Sequence, residues 1–203
     1  MSVFGGKYRI PSSRLQSWDY RRPAAYFVTI CTRNKLCCLG EVVEGEVALS
    51  SIGRIVVEEW QKTPCLRANI TLDEWQVMPN HLHGIVIIKD VATARRAVSG
   101  RDAPAERLYD HPPDASQVET ARRAVSTAPR LRSGSLGSIV GQFKSASTKR
   151  IREAGFRDFA WQARFYDHII RNQDSLEKIR DYIRHNPVMW PADENTIENL
   201  FCR

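Results

Sequence analysis

The sequence lacks the features that mark several broad protein classes. It has no apolar run of membrane-spanning length; the run Ile85-Val86-Ile87-Ile88 already stops at Lys89. Its first residues, Met1-Ser2-Val3-Phe4-Gly5-Gly6-Lys7, contain no apolar core of the kind a signal peptide needs. Both absences point away from membranes and secretion and make the cytoplasm the expected compartment. The five cysteines (Cys31, Cys37, Cys38, Cys65, Cys202) are odd in number and include no CxxC pair. They read as reduced thiols, and this excludes a disulfide scaffold and a cysteine-based zinc framework.

What is present suits one domain with additions: 203 residues, 42% of them hydrophobic, and a net charge of +7. The charge is unevenly spread, at +6 over residues 1–35, −4 over 36–90, +3 over 91–135, +4 over 136–190 and −2 from 191 onward. Basic stretches flanking an acidic middle suit a polyanionic partner such as nucleic acid, although a basic soluble protein has the same balance.

Residues 1–22 read as a basic arm with Tyr8, Trp18 and Tyr20 interleaved. These aromatics serve either to stack bases or to pin the arm to the domain. Residues 25–32 are β-branched and aromatic, as in a central strand, with Arg33, Asn34 and Lys35 presented at its exit. A hairpin turning at Glu44-Gly45 follows, then a helix over about 51–62 capped by Ser50 or Ser51. Strands over 70–78 and 81–88 join through Pro79-Asn80. Residues 91–135 break the pattern. The heptapeptide Thr93-Ala94-Arg95-Arg96-Ala97-Val98-Ser99 recurs at 120–126 among scattered prolines, which reads as a flexible insertion.

From Ser135 an amphipathic helix is expected to about residue 152, with Lys144 and Lys149 among hydroxyls on its outer face, suited to phosphate contacts or simply to solvent. A loop and short strand follow within 159–170. The last helix spans about 173–186, where Pro187 is expected to end it. An acidic tail occupies 191–203.

Two features carry chemistry. In a strand, His81 and His83 point to one face and Leu82 to the other. Two imidazoles placed this way either grip one metal ion or simply form a polar strand mouth. On the last helix Tyr182 and Asn186 are four apart, hence neighbours beside the buried stripe of Leu176, Ile179 and Ile183. A tyrosine hydroxyl can attack a phosphodiester and hold the cut strand as a phosphotyrosine, but a phenol is a weak attacker alone. A divalent ion on His81, His83 and Asn186, Mg²⁺ or Mn²⁺ by its donor set, would polarise the phosphate. Tyr166 is the rival nucleophile, disfavoured because Ile170 occupies its +4 position.

The run Val77-Met78-Pro79-Asn80-His81-Leu82-His83-Gly84, with Trp161-Gln162-Ala163-Arg164-Phe165-Tyr166-Asp167-His168-Ile169-Ile170-Arg171 and Tyr182-Ile183-Arg184-His185-Asn186-Pro187, resembles the IS200-like single-tyrosine transposases, and looks closest to their REP-associated branch. The resemblance spans residues 13–90 and 135–193. It implies an α+β, ferredoxin-like HUH domain: an antiparallel sheet with helices packed on it. It implies His81 and His83 as the HUH pair, Tyr182 as nucleophile, and Asn186 where insertion-sequence members carry a glutamine. The implied activity is metal-dependent cleavage and rejoining of hairpin-forming or single-stranded DNA through a 5′-phosphotyrosine, in the bacterial cytoplasm at the nucleoid, by a monomer or a homodimer. Arg33, Asn34, Lys144, Lys149, Arg164, His168 and Arg171 are the expected DNA contacts, with a packing role for His168 as the alternative. A domesticated relative that holds hairpin DNA without cutting it is the second reading. A small hydrolase built on the His-x-His pair is the third, and it lacks the further Asp or His ligands such sites use.

Overall fold

A computed structural model of the chain describes residue 15, residues 17–90 and 132–190, and the backbone of two short paired strands, β1 (Val3–Phe4) and β2 (Lys7–Tyr8). Most of the basic arm, the repeat-bearing stretch 91–131 and the acidic tail lie outside the described residues.

The order of the remaining elements follows from the alternation of apolar patterns. β3 (Ala24–Cys31) is followed by the hairpin β4 (Gly40–Val43) and β5 (Glu46–Leu49), and then by α1 (Ser51–Gln61). Next come β6 (Ile70–Met78), β7 (His81–Ile88), α2 (Leu136–Glu153), β8 (Tyr166–Ile170) and α3 (Gln173–Met189). With the β4–β5 hairpin set aside, this is a β-α-β-β-α-β unit, and its sheet has the order β6-β7-β3-β8 with every pair antiparallel. That is the ferredoxin-like arrangement. The fold is therefore α+β, an antiparallel sheet with three helices packed on it among the described residues.

Local chemistry sets the boundaries. Ser50 caps α1 by accepting a hydrogen bond from the Gly53 amide, Ser135 does the same for α2 through Ser138, and Asn172 for α3 through Ser175. Glu44 and Gly45, at φ of 52° and 81°, give the β4–β5 turn the two left-handed residues that match strand twist.

The two faces of the sheet are covered unequally. α1 and α2 bury Val56, Trp60, Leu136, Ile139, Val140 and Phe143 against Tyr26, Val28, Ile30, Leu82 and Val86. Among the described residues the opposite face is covered by α3, through Leu176, Ile179 and Ile183 against Ala25, Phe27, Ile85 and Ile170. On the first face Gly84 leaves room for the Trp60 indole: a Cβ there would lie 2.7 Å from Trp60 Cζ2. Trp18 and Tyr20 pack on that core too, with the Trp18 indole N–H donating to the Tyr26 hydroxyl at 3.1 Å. These two aromatics pin the chain to the domain.

One expected boundary is wrong. Pro187 does not end the last helix; α3 runs on to Met189, with Pro187 buried inside it and Trp190 as its C-cap. Proline forfeits one hydrogen bond inside a helix, and here burial of the ring offsets that loss.

Candidate functional site

β7 is an interior strand, and its register places Thr29 opposite His83 and Cys31 opposite His81 across β3. Strand alternation then turns both imidazoles to the face that α3 covers. His83 is fully buried and His81 is 5% exposed. Their Nε2 atoms face each other at 2.8 Å.

The outer nitrogens are both engaged. His81 Nδ1 lies 2.6 Å from Asn80 Oδ1, and an amide oxygen only accepts, so Nδ1 carries the proton and Nε2 presents its lone pair inward. The Nε2–Nε2 contact then makes His83 Nε2 the donor, and the Thr29 hydroxyl, 2.9 Å from His83 Nδ1, donates in turn. Holding a cation on both Nε2 atoms requires the opposite tautomer of His83, with Nδ1 donating to Thr29. A hydroxyl serves in either direction, whereas an amide oxygen or an amine would fix one. Burial first, and the neighbouring His81 second, hold the His83 pKa well below the usual imidazole range, so this ring stays neutral and able to ligate.

α3 supplies the rest. The Tyr182 hydroxyl is 3.3 Å from His83 Nε2, and its ring packs edge-on to Phe27 and His83. Two turns on, the Trp190 ring is 6.0 Å from that of His81. Asn186 falls between them along the helix, at i, i+4 spacing from both. It is 2% exposed, and its Oδ1 is a buried acceptor with no hydrogen-bond partner. Such an atom is costly unless a ligand uses it. Two inward-turned imidazole nitrogens and an orphaned amide oxygen together make a donor set that fits a divalent cation. Among the described residues no cluster of three His, Cys, Asp or Glu side chains occurs, because the third donor here is an amide.

The structure brings three of the expected site residues, His81, His83 and Tyr182, into contact within one chain, and buries Asn186 one turn further along the Tyr182 helix. Tyr166 stands two strands from His83, with Thr29 between them in the same register row, and contacts Phe27 instead. The expected DNA contacts scatter over three places. Arg33 and Asn34 are exposed in a 3₁₀ turn at the histidine end of the sheet. Lys144 and Lys149 lie on α2 beside a cleft of about 800 Å³. There the Lys144 ammonium donates to the carbonyls of Gln162 and Arg164 at 2.8 and 2.9 Å, while Lys149 is exposed near Glu153. Arg164 is exposed just before β8. His168 and Arg171 line a separate cleft under the first turn of α3, with Asn172 and Ser175. Burial and then Arg171 lower the His168 pKa, against a smaller opposing pull from Asp167.

Several contributors escape sequence reading. Thr29 and Asn80 orient the imidazoles; Asn80 adjoins His81, so its reach was a readable signal, whereas Thr29 is 54 residues away from its partner. Trp190 repeats the four-residue spacing of Tyr182 and Asn186, hidden by the assumption that Pro187 stops the helix. Asp73 and Glu74 sit where the β6 register slips between Leu72 and Trp75, and they pair with Arg180 and Arg184 of α3. Those arginines bracket Tyr182 in sequence.

No family model matches the chain. In fold it is similar to the structure of a REP-associated tyrosine transposase bound to a REP hairpin, at a TM-score of 0.50 and 17% identity over 93% of this chain and 77% of that one. In sequence it is 32% identical over 183 residues, 90% of this chain and 91% of the other, to an uncharacterised protein of Haemophilus influenzae strain Rd. On that identity and coverage, the chain belongs to the family of this Haemophilus influenzae protein.

Proposed function

We propose that the protein cleaves and rejoins single-stranded, hairpin-forming DNA through a covalent bond to Tyr182, as a transposase-type strand transferase. The carrying observation is the meeting of both histidine Nε2 atoms with the Tyr182 hydroxyl, with the buried, partnerless Asn186 oxygen one turn further along the same helix. The fold shared with a hairpin-bound REP-associated tyrosine transposase supports the same reading.

A divalent cation, Mg²⁺ or Mn²⁺, held by His81, His83 and Asn186 would polarise a phosphate oxygen and offset its charge. The chain's own residues do the remainder. The Tyr182 oxygen, losing its proton, bonds to the scissile phosphorus; the bond from phosphorus to the 3′ oxygen breaks, and that oxygen leaves as a protonated 3′-hydroxyl. The 5′-phosphotyrosine conserves the linkage, so a 3′-hydroxyl can later displace Tyr182 and reseal the strand without ATP. Thr29 and Asn80 keep the histidine rings turned inward, and Phe27 packs against both the His83 and the Tyr182 rings.

The test is a hairpin oligonucleotide with single-stranded flanks, incubated with the protein and Mn²⁺ and run on a denaturing gel. Wild type and Tyr166→Phe give a shifted covalent band and Tyr182→Phe gives none while still binding DNA. Adducts persisting in Tyr182→Phe would sink the assignment. Wild type that binds the hairpin without any adduct would instead favour a non-cleaving hairpin-binding protein.

A further inference from the structure

We infer that a cleft at the histidine end of the sheet is a nucleotide-binding subsite, taking one unpaired base and its phosphate from the strand that enters the Tyr182 site. The inference rests on the DNA reading above and specifies where the substrate strand is gripped.

The cleft, about 860 Å³, lies between the turn after β3 and the segment after α2. Two of the chain's exposed large apolar side chains, Leu36 at 65% and Phe156 at 40%, line it together. Exposed apolar surface shared between two separate loops calls for a ligand with a flat apolar face. Its polar lining is Arg33, Asn34, Arg157 and Asp158. Arg33 and Arg157 make no side-chain ion pair among the described residues, which leaves both guanidinium groups available to a ligand. A phenyl ring beside two available guanidinium groups offers what a nucleotide needs: a stacking surface and phosphate donors. Asn34 and Asp158 add hydrogen-bonding groups for a base edge.

The backbone here is strained. Asn34 and Lys35 both hold left-handed conformations, φ 55° and 54°, with no glycine. Consecutive left-handed residues of this kind cost free energy and persist where the surroundings over-determine them. The surroundings do so through the Pro79–Asn80 turn. The Thr32 amide donates to the Asn80 carbonyl at 2.9 Å, the Thr32 hydroxyl lies between the carbonyls of Leu36 at 2.8 Å and Asn80 at 2.9 Å, and the Leu39 amide donates to the Pro79 carbonyl. Asn80 is the residue that holds His81. The cleft wall and the imidazole thus share one hydrogen-bonded turn. On the other side the Arg33 amide donates to Ala160 and the Gln162 amide to Cys31, tying the Phe156 segment to the same strand end.

The test places 2-aminopurine at successive single-stranded positions on either side of the cleavage point in the hairpin oligonucleotide and reads its fluorescence with wild type, Phe156→Ala and Arg157→Ala. Wild type is expected to change the signal strongly at one position. Phe156→Ala abolishes the change there and weakens binding roughly tenfold. Arg157→Ala, which keeps the ring, weakens binding and lowers the salt dependence by about one phosphate contact. Unchanged signals and affinity in both variants, with wild type forming its adduct, would overturn the subsite and leave the Tyr182 reading intact. Wild type that neither binds the hairpin nor forms an adduct would overturn both. If Phe156→Ala fails to fold, Arg157→Ala and the wild-type position scan still decide the matter.

Discussion

Arg180 grips Asp73 with two parallel hydrogen bonds, Nε to Oδ1 at 3.0 Å and Nη2 to Oδ2 at 2.5 Å, across 107 residues of sequence. This pair joins the helix carrying Tyr182 to the irregular stretch of edge strand β6. Burial pushes the Asp73 carboxyl up, but the Arg180 hydrogen bonds and the Glu74 amide outweigh it, so its pKa is held below the usual range. A lowered carboxyl pKa stabilises the folded state above the unfolded value, and that stability is lost as pH falls through the folded one. In urea denaturation, wild type should exceed Asp73→Asn by about 1–2 kcal/mol at neutral pH. That margin should shrink as the pH is taken below roughly 4. A margin equal at both pH values would show that the pair contributes through packing and not through charge.

Asn186 gives a prediction with two opposite signs. Replacing it with leucine removes a buried acceptor that has no partner, so the fold should gain about 1 kcal/mol in chemical denaturation. The same change deletes a proposed metal donor, and Mn²⁺ affinity by calorimetry should fall at least about tenfold. A variant that is destabilised while binding Mn²⁺ normally would assign Asn186 to structure alone.

Thr29 separates hydroxyl chemistry from shape. Thr29→Val keeps the buried volume and loses the group that serves both tautomers of His83, so Mn²⁺ affinity should drop on the order of 10-fold to 100-fold. Thr29→Ser should retain most of it. Indistinguishable Val and Ser variants would mean that the 2.9 Å contact does not orient the ring.

Gly84 tests the opposite face of the same strand. Alanine there puts its methyl 2.7 Å from the Trp60 indole, which is fully buried and has little space to retreat. A loss of about 1–3 kcal/mol in denaturant is expected. Trp60→Phe in the same chain should recover part of it, since the smaller ring frees that space. Full stability of Gly84→Ala would show that β7 can shift away from α1.

The elements of the sheet, and which side chains share a strand or helix face, were legible because each depends on short-range periodicity. Alternation turns His81 and His83 to one side, and helical spacing aligns Tyr182 with Asn186. What sequence could not supply was the meeting of the two, because α3 is about a hundred residues from β7 and nothing local says which sheet face it covers. The Asp73–Arg180 pair and the Thr29–His83 contact were hidden for the same reason. Pro187 misled for a different one: its cost inside a helix depends on burial, and burial is a property of the folded whole. Arg33 and Asn34 were picked out as loop residues, whereas Phe156, which faces the same cleft, belongs to a segment with no pattern of its own.

The direction of β7 has an architectural consequence. The strand begins with the histidines and ends at Ile88, roughly 24 Å away, where the chain leaves toward residue 91. It returns at Arg132 just before α2, whose Leu136 amide donates to the Tyr20 carbonyl, close to the same pole. Both attachment points of the repeat-bearing stretch therefore lie away from the chemistry. A reporter domain spliced between Lys89 and Arg132 is therefore expected to leave the pairing of His81 with His83 unchanged.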